Sequence, residues 1–236
     1  MYYIWTEDRN EGLHFWRLVK DFLACDDLIV ESKGSNQGIL CALTTLKPKE
    51  EDVYYIAFDK ALDNIDIFNK YIKVKTFCDK FENVHLLNIH CFEMLLLKFT
   101  KLIQWTGCSR ENLIITRTEI LKHTREGLFY IDDVENNVAL EYFQRLKEPT
   151  SERIIKSLTR EILGNDEWGL GYKNTENNKK ELGRCWHSSC CVMDEKRYSR
   201  RKCCFDKNIT GYDKLRELFL DINIPQMIPE IWKNDL

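Results

Sequence analysis

The sequence predicts an α/β protein built on a parallel sheet with helices on both faces. Three observations predict it. Over the first 107 residues, short apolar β-prone runs alternate four times with segments of helical periodicity. One of those runs, residues 53–58, is mostly apolar throughout and ends at Asp59, the composition of a strand buried on both faces. The chain of 236 residues is 44% hydrophobic and 31% charged, which suits a packed core rather than disorder.

Taken in order, Tyr2 to Trp5 reads as a first strand, with Glu7 directly after it. Leu13, Phe15, Trp16, Val19, Phe22 and Leu23 then recur at helical spacing, predicting a helix over 10–24. Residues 28–30 form a second strand, leading into Ser32-Lys33-Gly34-Ser35, where Gly34 supplies a turn conformation that side chains resist. Ile39, Leu40, Leu43 and Leu46 make a short helix that Pro48 stops. After the third strand, Ile65, Ile67, Phe68, Tyr71 and Ile72 carry another helix. Residues 84–89 read as strand four, and Phe92 opens a strongly apolar helix that reaches Trp105.

Beyond this point the pattern changes. From 110 to 163 only helices are expected, interrupted near Gly127 and at Pro149, with a helix start at Thr150-Ser151-Glu152-Arg153. Residues 165–181 are polar and read as a linker or exposed loop. A last helix, bearing Leu215, Leu218, Phe219 and Ile222, precedes Pro225 and Pro229. The expected organisation is an α/β domain over 1–107, a helical region over 108–182 and a small Cys-rich module over 183–236.

The formal net charge is -3, so whole-protein charge gives no attraction to nucleic acid, and any such partner must be held by a local basic patch or through a metal. No signal peptide opens the sequence and no apolar run is long enough for a bilayer, so a cytoplasmic protein with reduced thiols and no membrane partner is expected. Of 10 cysteines, Cys25, Cys41, Cys78, Cys91 and Cys108 stand among apolar residues and read as small buried hydrophobes.

The candidate chemistry is acidic. Glu7 follows strand one, and Asp59 and Asp63 follow strand three. In open α/β sheets the carboxyl ends of the strands face the ligand crevice, and these two strands can be neighbours. Glu11 lies one turn into the first helix. Carboxylates gathered there would repel one another without a cation and would hold Mg²⁺ or Mn²⁺ with open positions for water and phosphate oxygens. The plainer alternative is that Glu7 or Asp8 caps the first helix and Asp63 caps the third.

At these residues the chain resembles the TOPRIM (topoisomerase–primase) domain, in the branch of small bacterial TOPRIM nucleases and antiphage effectors. The family's Glu-Gly-x-x-Asp after strand one is matched by Glu7-Asp8-Arg9-Asn10-Glu11. Its Gly-rich turn after strand two is matched by Ser32-Lys33-Gly34-Ser35, and its Asp-x-Asp by Asp59-Lys60-Ala61-Leu62-Asp63. Asp8, Glu11 and Ala61 depart from the pattern, and Ala61 takes the place of the second aspartate. The resemblance covers roughly residues 1–107. It implies a Mg²⁺- or Mn²⁺-dependent nuclease acting on DNA or RNA in antiphage defence, with Glu7, Asp59 and Asp63 catalytic and Glu7, Glu11, Asp59 and Asp63 as metal ligands. It equally admits a degenerate interaction subunit that binds a partner ATPase or reverse transcriptase. A receiver-type signalling domain would also place acids here, but the long helical tail and the lack of a clear lysine-bearing loop after a fifth strand count against it.

Two further features lie near the end. Cys185, Cys190, Cys203 and Cys204, with Cys191 and His187 between, are dense enough in soft ligands to close a Zn²⁺ site, or to form a knot of reduced thiols around Trp186. Between them, Arg197, Tyr198, Arg200, Arg201 and Lys202 belong to the most basic window in the chain, suited to phosphates with Tyr198 stacking on a base, or to a solvated loop.

Overall fold

The computed structural model describes residues 1–7, 9, 11–22 and 25–163, with residues 208, 210, 213, 216, 217, 220 and 221. Two compact units divide between Phe92 and Glu93.

The first unit is the α/β part. Its elements are β1 (Tyr2–Thr6), α1 (Glu11–Phe22), β2 (Leu28–Ser32), α2 (Asn36–Thr45), β3 (Val53–Ala57), α3 (Ile65–Cys78) and β4 (Val84–Leu86). The four strands form one parallel sheet in the order β2-β1-β3-β4. Pairing of β1 with β3 runs from Tyr2 opposite Val53 to Thr6 opposite Ala57.

Side chains alternate across the sheet, so each strand serves two layers. On one face Trp5, Tyr54, Ile56 and Val84 pack with Ile39 and Leu43 of α2 and with Val74 and Cys78 of α3. Residues of the opposite phase, Ile4, Thr6, Tyr55 and Ala57, are also buried. The first helix, α1, packs on β1 and β2 and buries Phe15, Trp16 and Val19. Right-handed crossovers require this division, because the chain reverses direction after β2 and carries α2 and α3 to the face opposite α1.

Two turns fix the carboxyl edge. Gly34 adopts φ +79°, the left-handed region, and Gly38 is pressed so closely that an added Cβ would stand 1.9 Å from the Lys33 carbonyl oxygen. Ser35 caps α2 by accepting from the Gly38 N–H at 3.0 Å. Asn64 caps α3, its Oδ1 accepting from Asp66 at 3.1 Å and Ile67 at 3.4 Å. Asp63 therefore precedes the cap instead of forming it.

The second unit is mainly helical: α4 from Phe92–Lys98, then α5 (Leu102–Thr106), α6 (Glu111–Lys122), α7 (Asn137–Gln144) and α8 (Ser151–Ile162). The single helix expected over residues 92–105 is two. Arg117 of α6 separates them by donating to the carbonyl oxygens of Leu97 and Phe99, each at 2.8 Å, where α4 ends. The helices break near Gly127 as expected, and the break is a hairpin, β5 (Thr124–Arg125) and β6 (Leu128–Phe129), not a plain loop. Its central residues Glu126 and Gly127 have φ of 50° and 74°, the handedness that matches strand twist in a two-residue turn. The helix start at Thr150 is observed, with its hydroxyl accepting from the Arg153 N–H. Glu161 is buried between Tyr142, Arg110 and Arg145, and it accepts from the Tyr142 hydroxyl at 2.9 Å.

Corrections at the level of elements are small. Strand three ends at Ala57, one residue earlier than read, and strand four is three residues long because it pairs only Tyr54 to Ile56. Among the five described cysteines, Cys78 and Cys91 are buried, Cys25 and Cys108 are half-buried, and Cys41 is exposed on α2.

Replacing Gly38 by alanine forces its methyl into the backbone of the turn that follows β2. We expect Gly38→Ala to lower stability by about 1–3 kcal/mol, measured as a shift in urea midpoint with unchanged slope. A variant as stable as the parent would show that the turn relaxes freely.

Candidate functional site at the carboxyl edge of the sheet

The sheet order places a reversal of chain direction between β1 and β3, and in open α/β sheets the ligand crevice opens at such a point. Glu7 is one residue past the end of β1 and Asp59 is two past the end of β3. Because Thr6 and Ala57 are register partners, these acids leave neighbouring strand ends about 4.8 Å apart. Glu7 is half-buried, Asp59 is 7% exposed and Asp63 is exposed in the turn before α3. Glu11 is the first residue of α1.

The backbone of this edge is tied across strands. Lys33 N–H donates to the Thr6 carbonyl at 2.7 Å, and Lys60 N–H donates to the His90 carbonyl at 2.7 Å. Basic groups flank the acids. The Arg9 guanidinium lies against Gly34, and the Lys33 ammonium sits 4.0 Å from the centroid of the Trp5 ring while pairing with Glu31 at 2.8 Å. The edge thus carries both carboxylates and cations.

Ala61 is fully buried where the TOPRIM pattern has its second aspartate. Among the described residues no three His, Cys, Asp or Glu side chains converge on one point. Mg²⁺ is commonly held by one or two carboxylates with water and substrate phosphates completing its shell, so Glu7 and Asp59 match the smaller donor set.

Lys60 is a buried cation at this edge. It is 6% exposed, and burial pushes its ammonium down to about 8. Its Nζ donates to Asn88 Oδ1 at 3.1 Å and lies 6.0 Å from the Tyr71 ring centroid. In the sequence it is one lysine between two acids; nothing in its spacing signals burial. Nearby, His85 stacks on Tyr55 with centroids 5.5 Å apart, and burial lowers its basicity.

Cys185, Cys190, Cys203 and Cys204, and Arg197, Tyr198, Arg200, Arg201 and Lys202, lie outside the described residues. No helix among the described residues is long and apolar enough to cross a membrane. No protein-family model, no curated protein and no solved structure matches the chain.

The depressed Lys60 has a measurable sign. Below pH 8 the folded and unfolded states are both charged and the burial penalty is complete; between pH 8 and about 10.4 the folded state loses its proton first, so stability rises with pH. Cys78, pushed up to about 11, and Tyr55, pushed up to about 12, act in the opposite sense, so the comparison is with Lys60→Met. Relative to that variant, the parent should gain about 3 kcal/mol between pH 7.5 and 10.5, read from urea unfolding. Parallel pH profiles for the two proteins would refute a buried Lys60.

Proposed function

We propose that the chain is a TOPRIM-like, metal-dependent nuclease whose Mg²⁺ or Mn²⁺ is held at the β1/β3 edge by Glu7 and Asp59, with Asp63 in the following turn. The adjacency of β1 and β3 carries this reading, since it brings acids separated by about fifty residues in the sequence to one end of the sheet. When bound, the cation supplies an activated water and neutralises charge on the phosphodiester. Glu7 and Asp59 orient it, and Arg9 and Lys33 provide positive charge for flanking phosphates. Nucleic acid, DNA or RNA, is the substrate class, and an effector role in antiphage defence follows from the resemblance.

A second reading is a TOPRIM-like interaction subunit that binds a partner ATPase or other defence protein. Two observations favour it. Ala61 fills the second aspartate position with a buried methyl, and α3 exposes Ile65, Phe68 and Ile72 at helical spacing. Ile65 is 69% exposed, a large apolar surface for a residue with no role in the core.

Under the first reading, Glu7→Ala and Asp59→Asn should each lower Mn²⁺-dependent cleavage by at least the about 10–100-fold that even an outer-shell partner contributes. Circular dichroism should be unchanged. Parental cleavage in both variants ends the nuclease reading. Under the second, an Ile65→Ser, Ile72→Ser double variant should abolish co-purification with the product of a neighbouring gene while leaving the melting temperature within about 2 °C of the parent's. Undiminished co-purification rules out this helix face as the contact.

A further inference from the structure

A cleft of about 720 Å³ opens beside β4 in the first unit, and Lys60, Tyr71, Lys80, Phe81, His85 and Asn88 are among its walls. Its volume falls within the range of about 300–1,000 Å³ typical of small-molecule sites. None of Glu7, Asp59 and Asp63 is among the described residues that line it.

The charge arrangement points to an anion. Lys60 has three N–H donors, and among the described residues Asn88 Oδ1 takes one. No carboxylate among the described residues pairs with Lys60 or with Lys80. Lys75, also in the wall, is already matched by Asp79 at 2.7 Å. A buried ammonium with spare donors and no counter-charge is costly, and a bound anion removes that cost. Tyr71 and Phe81 offer ring surface beside the two ammonium groups.

We propose that this cleft binds a small phosphate monoester, with the Lys60 and Lys80 ammonium groups on the phosphate. A dianionic phosphate matches two ammoniums that no carboxylate among the described residues pairs, and lysine serves phosphate as a point charge.

The wall also carries two carboxylates, Asp79, which Lys75 matches, and Glu82. Phosphate monoesters are already largely dianionic above pH 7.

The test is calorimetric titration of the full chain with AMP and with inorganic phosphate at pH 7, where saturable AMP binding is expected. Lys60→Met and the exposed Lys80→Glu should each weaken it about tenfold or more, the loss of a charge-assisted hydrogen bond. Glu7→Ala should keep the parental AMP affinity, which separates this site from the metal edge. Tighter binding of AMP than of phosphate assigns the nucleoside to Tyr71 and Phe81, and equal binding assigns the affinity to the phosphate alone. If Lys60→Met loses its circular dichroism signal, Lys80→Glu decides. The proposal is overturned by lack of saturation with both probes or by parental affinity in Lys80→Glu.

Discussion

The parallel pairing of β1 with β3 is the constraint on which the first unit depends. It closes five register pairs between two strands that lie some fifty residues apart in the chain, with β2 already holding the other side of β1. As interior strands, β1 and β3 bury residues of both phases, and Ile4, Trp5, Tyr55 and Ile56 are all removed from solvent. The edge strand β2 is buried only at Leu28 and half-buried beyond it. The chain must therefore cross back over β1 to reach β3, and that crossing sets the layer of each helix and the end of the sheet where a crevice opens.

That one pairing explains why chemistry gathers at the carboxyl edge. Every loop leaving a strand there carries charged or polar groups: Glu7 and Arg9 after β1, Lys33 after β2, Asp59 and Lys60 after β3, Asn88 and His90 after β4. Cross-strand backbone bonds from Lys33 to Thr6 and from Lys60 to His90 hold these loops in fixed relation. Asp59 and Lys60 are consecutive and both buried, so the short segment after β3 serves the metal reading with one residue and the phosphate cleft with the next.

The second unit is organised by polar groups that satisfy buried backbone and side-chain atoms. Arg117 gives its guanidinium to two carbonyls at the end of α4, which lets the chain turn before α5 without leaving those acceptors unpaired. Glu161 is the acceptor shared by Tyr142 and two arginines, and its charge raises the Tyr142 hydroxyl well above the ordinary tyrosine value, burial contributing most. Removing any one partner from such a set strands the others, so its members are coupled.

Local pattern determined a good deal about this protein. The β-α alternation, the parallel sheet and the positions of α1, α2, α3 and α8 follow from spacings of apolar residues and from the Thr150 cap, because periodicity reports which face of an element is buried. The placement of Glu7 and Asp59 at strand ends was legible for the same reason. What local pattern misread was short or was held from a distance. The Glu126-Gly127 hairpin has strands of only two residues, too few to alternate visibly, and the break between α4 and α5 is held by an arginine some twenty residues away. The capping of α3 by Asn64 was a choice between adjacent residues that both favour the role. Burial of Lys60, the exposed stripe on α3 and the cleft beside β4 belong to tertiary structure alone, since the exposure of a polar or apolar side chain depends on what the rest of the chain packs against it.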